Sequence, residues 1–253
     1  KKVLRYFLSF SYNGSNFHGW QIQINAVSVQ QEIEYALSKI IKKEIKITGA
    51  GRTDKGVHAK LMVAHFDAKI SNEMENSLLF NLNQFLNNDI YFFELQKVKD
   101  DAHARFDAIS RTYQYHISSV KNPFKQGLVY YFREKLNLEL MNEASEILMS
   151  FNDFKAFSKT NTDVKTFECE ITKAEWVHYK DEVVFKIKSN RFLRNMVRAV
   201  VGTILKVGLN KINLFEFSEI IKSRNRSKAG YSVPAHGLFL CEIEYEKKIF
   251  INE

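Results

Sequence analysis

The strongest constraint on the fold is an order of periodic segments that runs through the chain twice. Residues 4–10 (Leu-Arg-Tyr-Phe-Leu-Ser-Phe) read as a buried strand, and Val29, Ile33, Ala36, Leu37, Ile40 and Ile41 then form one helical face. Ser28 and Gln31 have capping-box spacing at the start of that helix. Two short β-like runs follow at 45–48 and 62–66, then a helix near 75–87 and a strand over 90–98. Around Ala104 the series begins again. A long strand runs from Phe106 to Ser118, and a helix near 138–149 is entered after Asn137. Strands over 167–179 and 182–189, a basic helix, a short helix near 213–223 and a strand from Leu238 to Tyr245 complete it. Each half reads β-α-β-β-α-β, the ferredoxin-like order. The expected fold is α/β (α+β), with halves at 1–104 and 105–253 whose mostly antiparallel sheets join or face each other across a cleft.

Between the runs at 45–48 and 62–66 lies Gly49-Ala50-Gly51-Arg52-Thr53-Asp54-Lys55-Gly56-Val57-His58-Ala59, a loop joining two strands. Its three glycines permit positive φ and close backbone approach. Asp54 stands between Arg52 and Lys55, neighbours that favour an ionised carboxyl. Two readings are open on spacing alone. Asp54 caps its own turn, as aspartates commonly do, or it is a carboxylate kept charged to act as a nucleophile. The loop is not a dinucleotide fingerprint, because Asp54 falls where the third glycine belongs. Nor is it a P-loop, since no Gly-Lys-Ser/Thr follows.

The 253 residues suit one large domain or two smaller ones, and their formal net charge of +8 is unevenly placed. From Lys186 to Lys228 eleven Lys and Arg face two acids, Glu216 and Glu219, leaving 26 basic and 27 acidic residues elsewhere. An excess gathered in one segment is the footprint of a polyanion site. Within it Leu193, Met196, Val197, Val200, Val201, Ile204 and Leu205 form a single apolar stripe. Arg191, Arg194 and Arg198 lie off that stripe, with Arg194 and Arg198 one turn apart, suited to phosphate or carboxylate contact. Tyr113 and Tyr115 share one face of the 106–118 strand, a pattern that serves either a core or a base-stacking surface. The seven histidines show no metal-ligand spacing, so no metal is assigned. Cys169 and Cys241 exclude a disulfide framework, leaving two buried thiols or one bridge between them. With no signal peptide and no membrane-spanning apolar run, the expected compartment is the cytoplasm.

Arg52-Thr53-Asp54-Lys55-Gly56-Val57-His58-Ala59 resembles the active-site motif Arg-Thr-Asp-x-Gly-Val-His-Ala of the TruA family of tRNA pseudouridine synthases. The resemblance covers about residues 5–245. Tyr12-Asn13-Gly14 and Gly19-Trp20-Gln21-Ile22-Gln23 are similar to the family's Tyr-Asp-Gly…Gly-Trp-Gln-x-Gln segment, with Asn13 for the usual Asp. Arg111-Thr112-Tyr113-Gln114-Tyr115 resembles its Arg-x-Tyr-x-Tyr strand, and Met196-Val197-Arg198 with Val201-Gly202 its Met-Val-Arg-x-x-Val-Gly helix. The run from Gly230 to Leu238 keeps one proline of the family's Ala-Pro-Pro-His-Gly-Leu, and Met62 stands where many members have Gln.

By resemblance, the chain isomerises uridine to pseudouridine at positions 38, 39 and 40 in the anticodon stem-loop of tRNA, held in an RNA-binding cleft between the halves. Asp54 is then the nucleophile, adding either to the sugar at C1′ or to the base at C6. Arg198 pairs with Asp54, Tyr113 lies against the target base, and Arg52 fills the space that the base vacates. Arg191 and Arg194 belong to the RNA-contacting basic segment. Substrate and product are isomers, so no cofactor is expected, and the resemblance implies a homodimer. Two other classes compete: a non-catalytic RNA-binding protein with a ferredoxin-like sheet, and a basic structural protein whose loop only turns. Neither accounts for an acid kept between two cations in a glycine loop.

Overall fold

In the computed structural model, which describes residues 2–160 and 164–251, β1 (Leu4–Tyr12) lies inside a sheet. Residues 6 to 10 of β1 are all buried, so both of its faces are covered. β3 (His58–Ala68) and β4 (Ile90–Val98) flank it antiparallel, placing Leu8 opposite Ala64 on one side and Leu95 on the other. β2 (Thr48–Gly49) pairs antiparallel with β3, Thr48 facing His65. With α1 (Val29–Ile41) after β1 and α2 (Asn72–Phe85) after β3, this is the expected β-α-β-β-α-β order. Ser28 caps α1, its Oγ accepting the Gln31 N–H at 3.3 Å. The strand expected at 45–48 shrinks to β2 because α1 takes its donors. The Ile45 N–H bonds Ser38 Oγ at 2.9 Å and the Ile47 N–H bonds Glu34 Oε1 at 3.1 Å.

The chain divides into two units, Lys1–Ile109 with Leu240–Glu253, and Ser110–Phe239. They part after residue 109, not after 104, and the closing segment belongs to the first unit. Aromatic packing explains the return. β9 (Leu238–Tyr245) follows β3 in the sheet order, and the Tyr245 ring meets Phe7 at 5.1 Å. The Tyr245 hydroxyl donates to the Ala104 carbonyl at 2.6 Å. Residues 103–107 stay out of the next strand because they bind one another, the His103 N–H donating to Asp107 Oδ2 at 2.7 Å.

In the second unit β5 (Ala108–Ser118), β8 (Glu182–Ser189) and β7 (Ile171–Tyr179) run antiparallel in that order, with Phe185 opposite Tyr115 on one side and Trp176 on the other. β6 (Tyr130–Tyr131), absent from the sequence reading, pairs parallel with the end of β5. α3 (Leu138–Met149) packs on β7, on α4 (Met196–Gly208) and on α5 (Leu214–Lys222). Every residue of α4 except Arg198 and Lys206 is buried. A Cβ at Gly202 would lie 1.8 Å from the Tyr231 carbonyl oxygen, so only glycine permits that crossing.

The start of α4 departs from the sequence reading. Asn195 is left-handed at φ 66°, its Nδ2 donating to Ser232 Oγ at 2.6 Å, and the helix begins only at Met196. Leu193 is buried ahead of it, and Arg191 and Arg194 precede it. Arg194 and Arg198 are therefore not one helical turn apart. Cys169 is buried and Cys241 half-buried, and no disulfide joins them. Among the described residues no helix is long and apolar enough to cross a membrane, and no group of His, Cys, Asp and Glu is placed to hold a metal.

Candidate active site

Asp54 stands on a tight turn that enters β3. The turn closes through the main chain, the Val57 N–H donating to the Asp54 carbonyl at 3.1 Å, with Gly56 at φ 80°. Of the loop's three glycines only Gly56 uses positive φ. Gly49 is needed for room, since a Cβ there would sit 2.6 Å from the Trp20 ring, and Gly51 has open space around it. Asp54 itself is half-buried.

Residues 12–20 grip this turn on both sides of Asp54. The hydroxyls of Tyr12 and Thr53 meet at 2.8 Å, and the Trp20 N–H donates to the Thr53 carbonyl at 3.1 Å. Beyond the turn, the Gly14 N–H donates to Nδ1 of His58 at 2.9 Å. Tyr12, Thr53 and His58 are buried. Such packing fixes the backbone on either side of the carboxylate. Tyr12, Gly14 and His58 stand in the sequence motifs, and the fold gives them a part in holding the site. Their signal was the Tyr-x-Gly spacing after a buried strand.

Arg52 and Lys55 flank Asp54 in sequence. Both are exposed, and neither forms an ion pair with Asp54. Long side chains beside a tight turn extend into water, where hydration outweighs a weak surface pair.

In the second unit, Arg198 leaves the buried helix and donates from Nε to the Val233 carbonyl at 2.7 Å, while the Val233 N–H donates back to the Arg198 carbonyl at 3.2 Å. Tyr115 is fully buried, its hydroxyl donating to the Pro234 carbonyl at 2.7 Å. Burial pushes the Tyr115 hydroxyl well above its usual range, Tyr130 reinforcing and Arg198 opposing. Burial also lowers the His236 imidazole, with the charge of Arg198 acting in the same direction. Tyr130, Tyr231 and His236 thus join Tyr115 around Arg198, the first two sharing a hydroxyl contact of 3.2 Å. No periodic pattern announced Tyr130, because β6 is only two residues long.

The tyrosine pair splits in role. Tyr115 is core, whereas Tyr113 is half-buried with its ring edge-on to Phe192 at 5.1 Å. Arg194 is exposed, its carbonyl accepting the Lys159 N–H at 3.0 Å. Arg191 is half-buried beside Cys169, opposing the burial that pushes that thiol up to about 11. Asp54 and Arg52 belong to the first unit, and Tyr113, Arg191, Arg194 and Arg198 to the second. Part of the basic excess is structural. Arg224 pairs with Asp153 at 3.0 Å, and the Arg226 guanidinium donates to the Gly230 carbonyl and Ser232 Oγ, each at 2.9 Å.

The sequence pattern that describes tRNA pseudouridine synthases matches residues 8–107 and 147–246, spans that hold Asp54 and Arg198 but not Tyr113. A tRNA pseudouridine synthase A from Parabacteroides distasonis is 48% identical over 249 residues, covering 97% of this chain and 98% of the relative. The protein of that name from Bacteroides fragilis is 48% identical over 250 residues, with 98% and 99% covered. That from Bacillus pumilus is 39% identical over 240 residues, with 93% and 97% covered.

Proposed function

The chain belongs to the tRNA pseudouridine synthase family and is an isomerase converting uridine to pseudouridine; from that premise we propose that it acts at positions 38, 39 and 40 of the anticodon stem-loop, with Asp54 as the nucleophile. The observation that carries the assignment of Asp54 is its turn, closed through main-chain atoms and gripped by the Tyr12, Trp20 and Gly14 contacts. A carboxylate presented this way is pre-positioned to attack.

The reaction breaks N1–C1′, turns the uracil, and forms C5–C1′, with N1 gaining a proton and C5 losing one. Asp54 adds either at C1′, by the oxocarbenium logic of glycoside cleavage, or at C6 of the base. The released base must be retained and water kept out, which an aromatic wall does well. Tyr113 is proposed to lie against the base. A uridine in a stem must leave the stack first, and Arg52 is proposed to occupy its place. Arg198 is proposed as the cation that partners the Asp54 carboxylate, and Arg191 and Arg194 as RNA contacts. The resemblance to the family supports a homodimer working in the cytoplasm. Because substrate and product are isomers, the atom balance requires no redox partner.

Incubating an unmodified tRNA transcript with the purified protein and mapping pseudouridine tests this reading. Product at 38–40 is expected. Product confined to another arm would overturn the position, and no product at all would overturn the activity.

A further inference from the structure

β6 presents different side chains to its two sides, as neighbours in a strand do. Tyr130 turns toward Tyr115, Tyr231 and His236. Tyr131 is 37% exposed and carries two cations on its ring: the Arg133 guanidinium 5.6 Å from the centroid and the Lys121 ammonium at 5.7 Å. Arg133 Nε also donates to the Tyr131 hydroxyl at 3.0 Å, fixing the two planar groups together. Elsewhere in this unit exposed cations hold carboxylates, as in Lys173 with Glu175 at 2.8 Å and Lys222 with Glu219 at 2.9 Å. Lys121 and Arg133 have no carboxylate partner among the described residues. From residue 119 to 135 there are four Lys or Arg and one acid, Glu134, which itself pairs with Lys211 at 3.7 Å. Val120 and Phe124 add exposed apolar surface to the same segment.

Two like charges on one ring repel, and no carboxylate among the described residues neutralises them. An anion that also offers a flat face satisfies both needs, and a nucleic-acid strand has that chemistry: phosphates for the cations, a base for the ring. We propose that Lys121, Tyr131 and Arg133 form a docking surface for tRNA, built from residues other than those assigned to the candidate active site. It takes a phosphate–base step of the substrate and lies in a segment that the family pattern does not match. The inference rests on the reading of this chain as a tRNA-modifying enzyme.

The test compares equilibrium binding of an unmodified tRNA transcript across a salt series. Lys121→Ala with Arg133→Ala should weaken binding about tenfold and flatten the log–log salt slope by roughly 1.4 to 1.8, two phosphates' worth. Tyr131→Ala should weaken binding about tenfold, and Tyr131→Phe should restore it, because any base stacks on either ring. A charge-matched control, Lys173→Ala with Lys248→Ala, removes two cations that are held by Glu175 and Glu246. Thermal melts confirm that each variant is folded. A slope equal to wild type, or a control as weak as the test pair, overturns the surface. Pseudouridine formation by the wild-type preparation is scored alongside, so loss of the functional reading is seen separately from loss of this one.

Discussion

The Tyr12 hydroxyl lies 2.8 Å from the Thr53 hydroxyl, a buried contact between the last residue of β1 and the residue before Asp54. It joins the rigid centre of the first sheet to the turn that carries the carboxylate.

Tyr12→Phe keeps the ring and removes that bond. It should cost about 1 to 2 kcal/mol of stability and lower kcat about tenfold, with KM nearly unchanged. Thr53→Val should do the same, and the double variant little more, because both remove one interaction. Steady-state kinetics with melting curves check this; unchanged kcat in both variants would make the contact purely structural.

His65 sets an acid limit on the first unit. Its Nδ1 accepts the Ala104 N–H at 3.1 Å, a bond that needs the neutral ring. Burial lowers its pKa from 6.5 to about 4, with Arg5 and His103 adding to the effect and Asp67 and Asp107 opposing it. The folded pKa lies below the unfolded one. The contribution is therefore complete above pH 6.5 and is lost as pH falls toward 4, about 3 kcal/mol in all. Denaturant midpoints at pH 7 and pH 4.5 should converge in His65→Gln relative to wild type.

The basic segment divides into clasps and contacts. Arg226→Gln breaks bonds to Gly230 and Ser232 and should lower the melting temperature. Arg191→Gln with Arg194→Gln should leave melting nearly unchanged and flatten the salt dependence of tRNA binding by roughly 0.7 to 0.9 per lost phosphate contact. The opposite assignment of effects would place the RNA elsewhere.

Several elements with eight or more periodic residues were legible in the sequence, although β3 runs well beyond the expected 62–66 on both sides. β4, β8, β9 and α3 with its Asn137 cap fall on the expected bounds, because period and cap agree. The short pieces were not. β2 is cut down by side chains of α1, β6 is too short to alternate, and the entry to α4 depends on a left-handed Asn195 held from Ser232. Asp54 and Arg198 stood out through their motifs. The exposure of Arg52 and Lys55 did not, because adjacency in sequence says nothing of where a long side chain goes.

Arg198 anchors the Val233 turn as well as serving the proposed partnership with Asp54. Arg198→Gln should cost about 1 kcal/mol of stability and a much larger factor in turnover. Added to Asp54→Asn, the change should cost almost nothing further; additive losses would make Arg198 structural.

The assignment of Asp54 as nucleophile is tested most directly by single-turnover conversion of a tRNA transcript by Asp54→Asn. The variant keeps the shape of the turn, whose closing bond is main-chain. The rate should fall by about 10³-fold or more, with tRNA affinity kept or slightly raised because a negative charge has left a polyanion site. A rate within about tenfold of wild type would contradict the assignment.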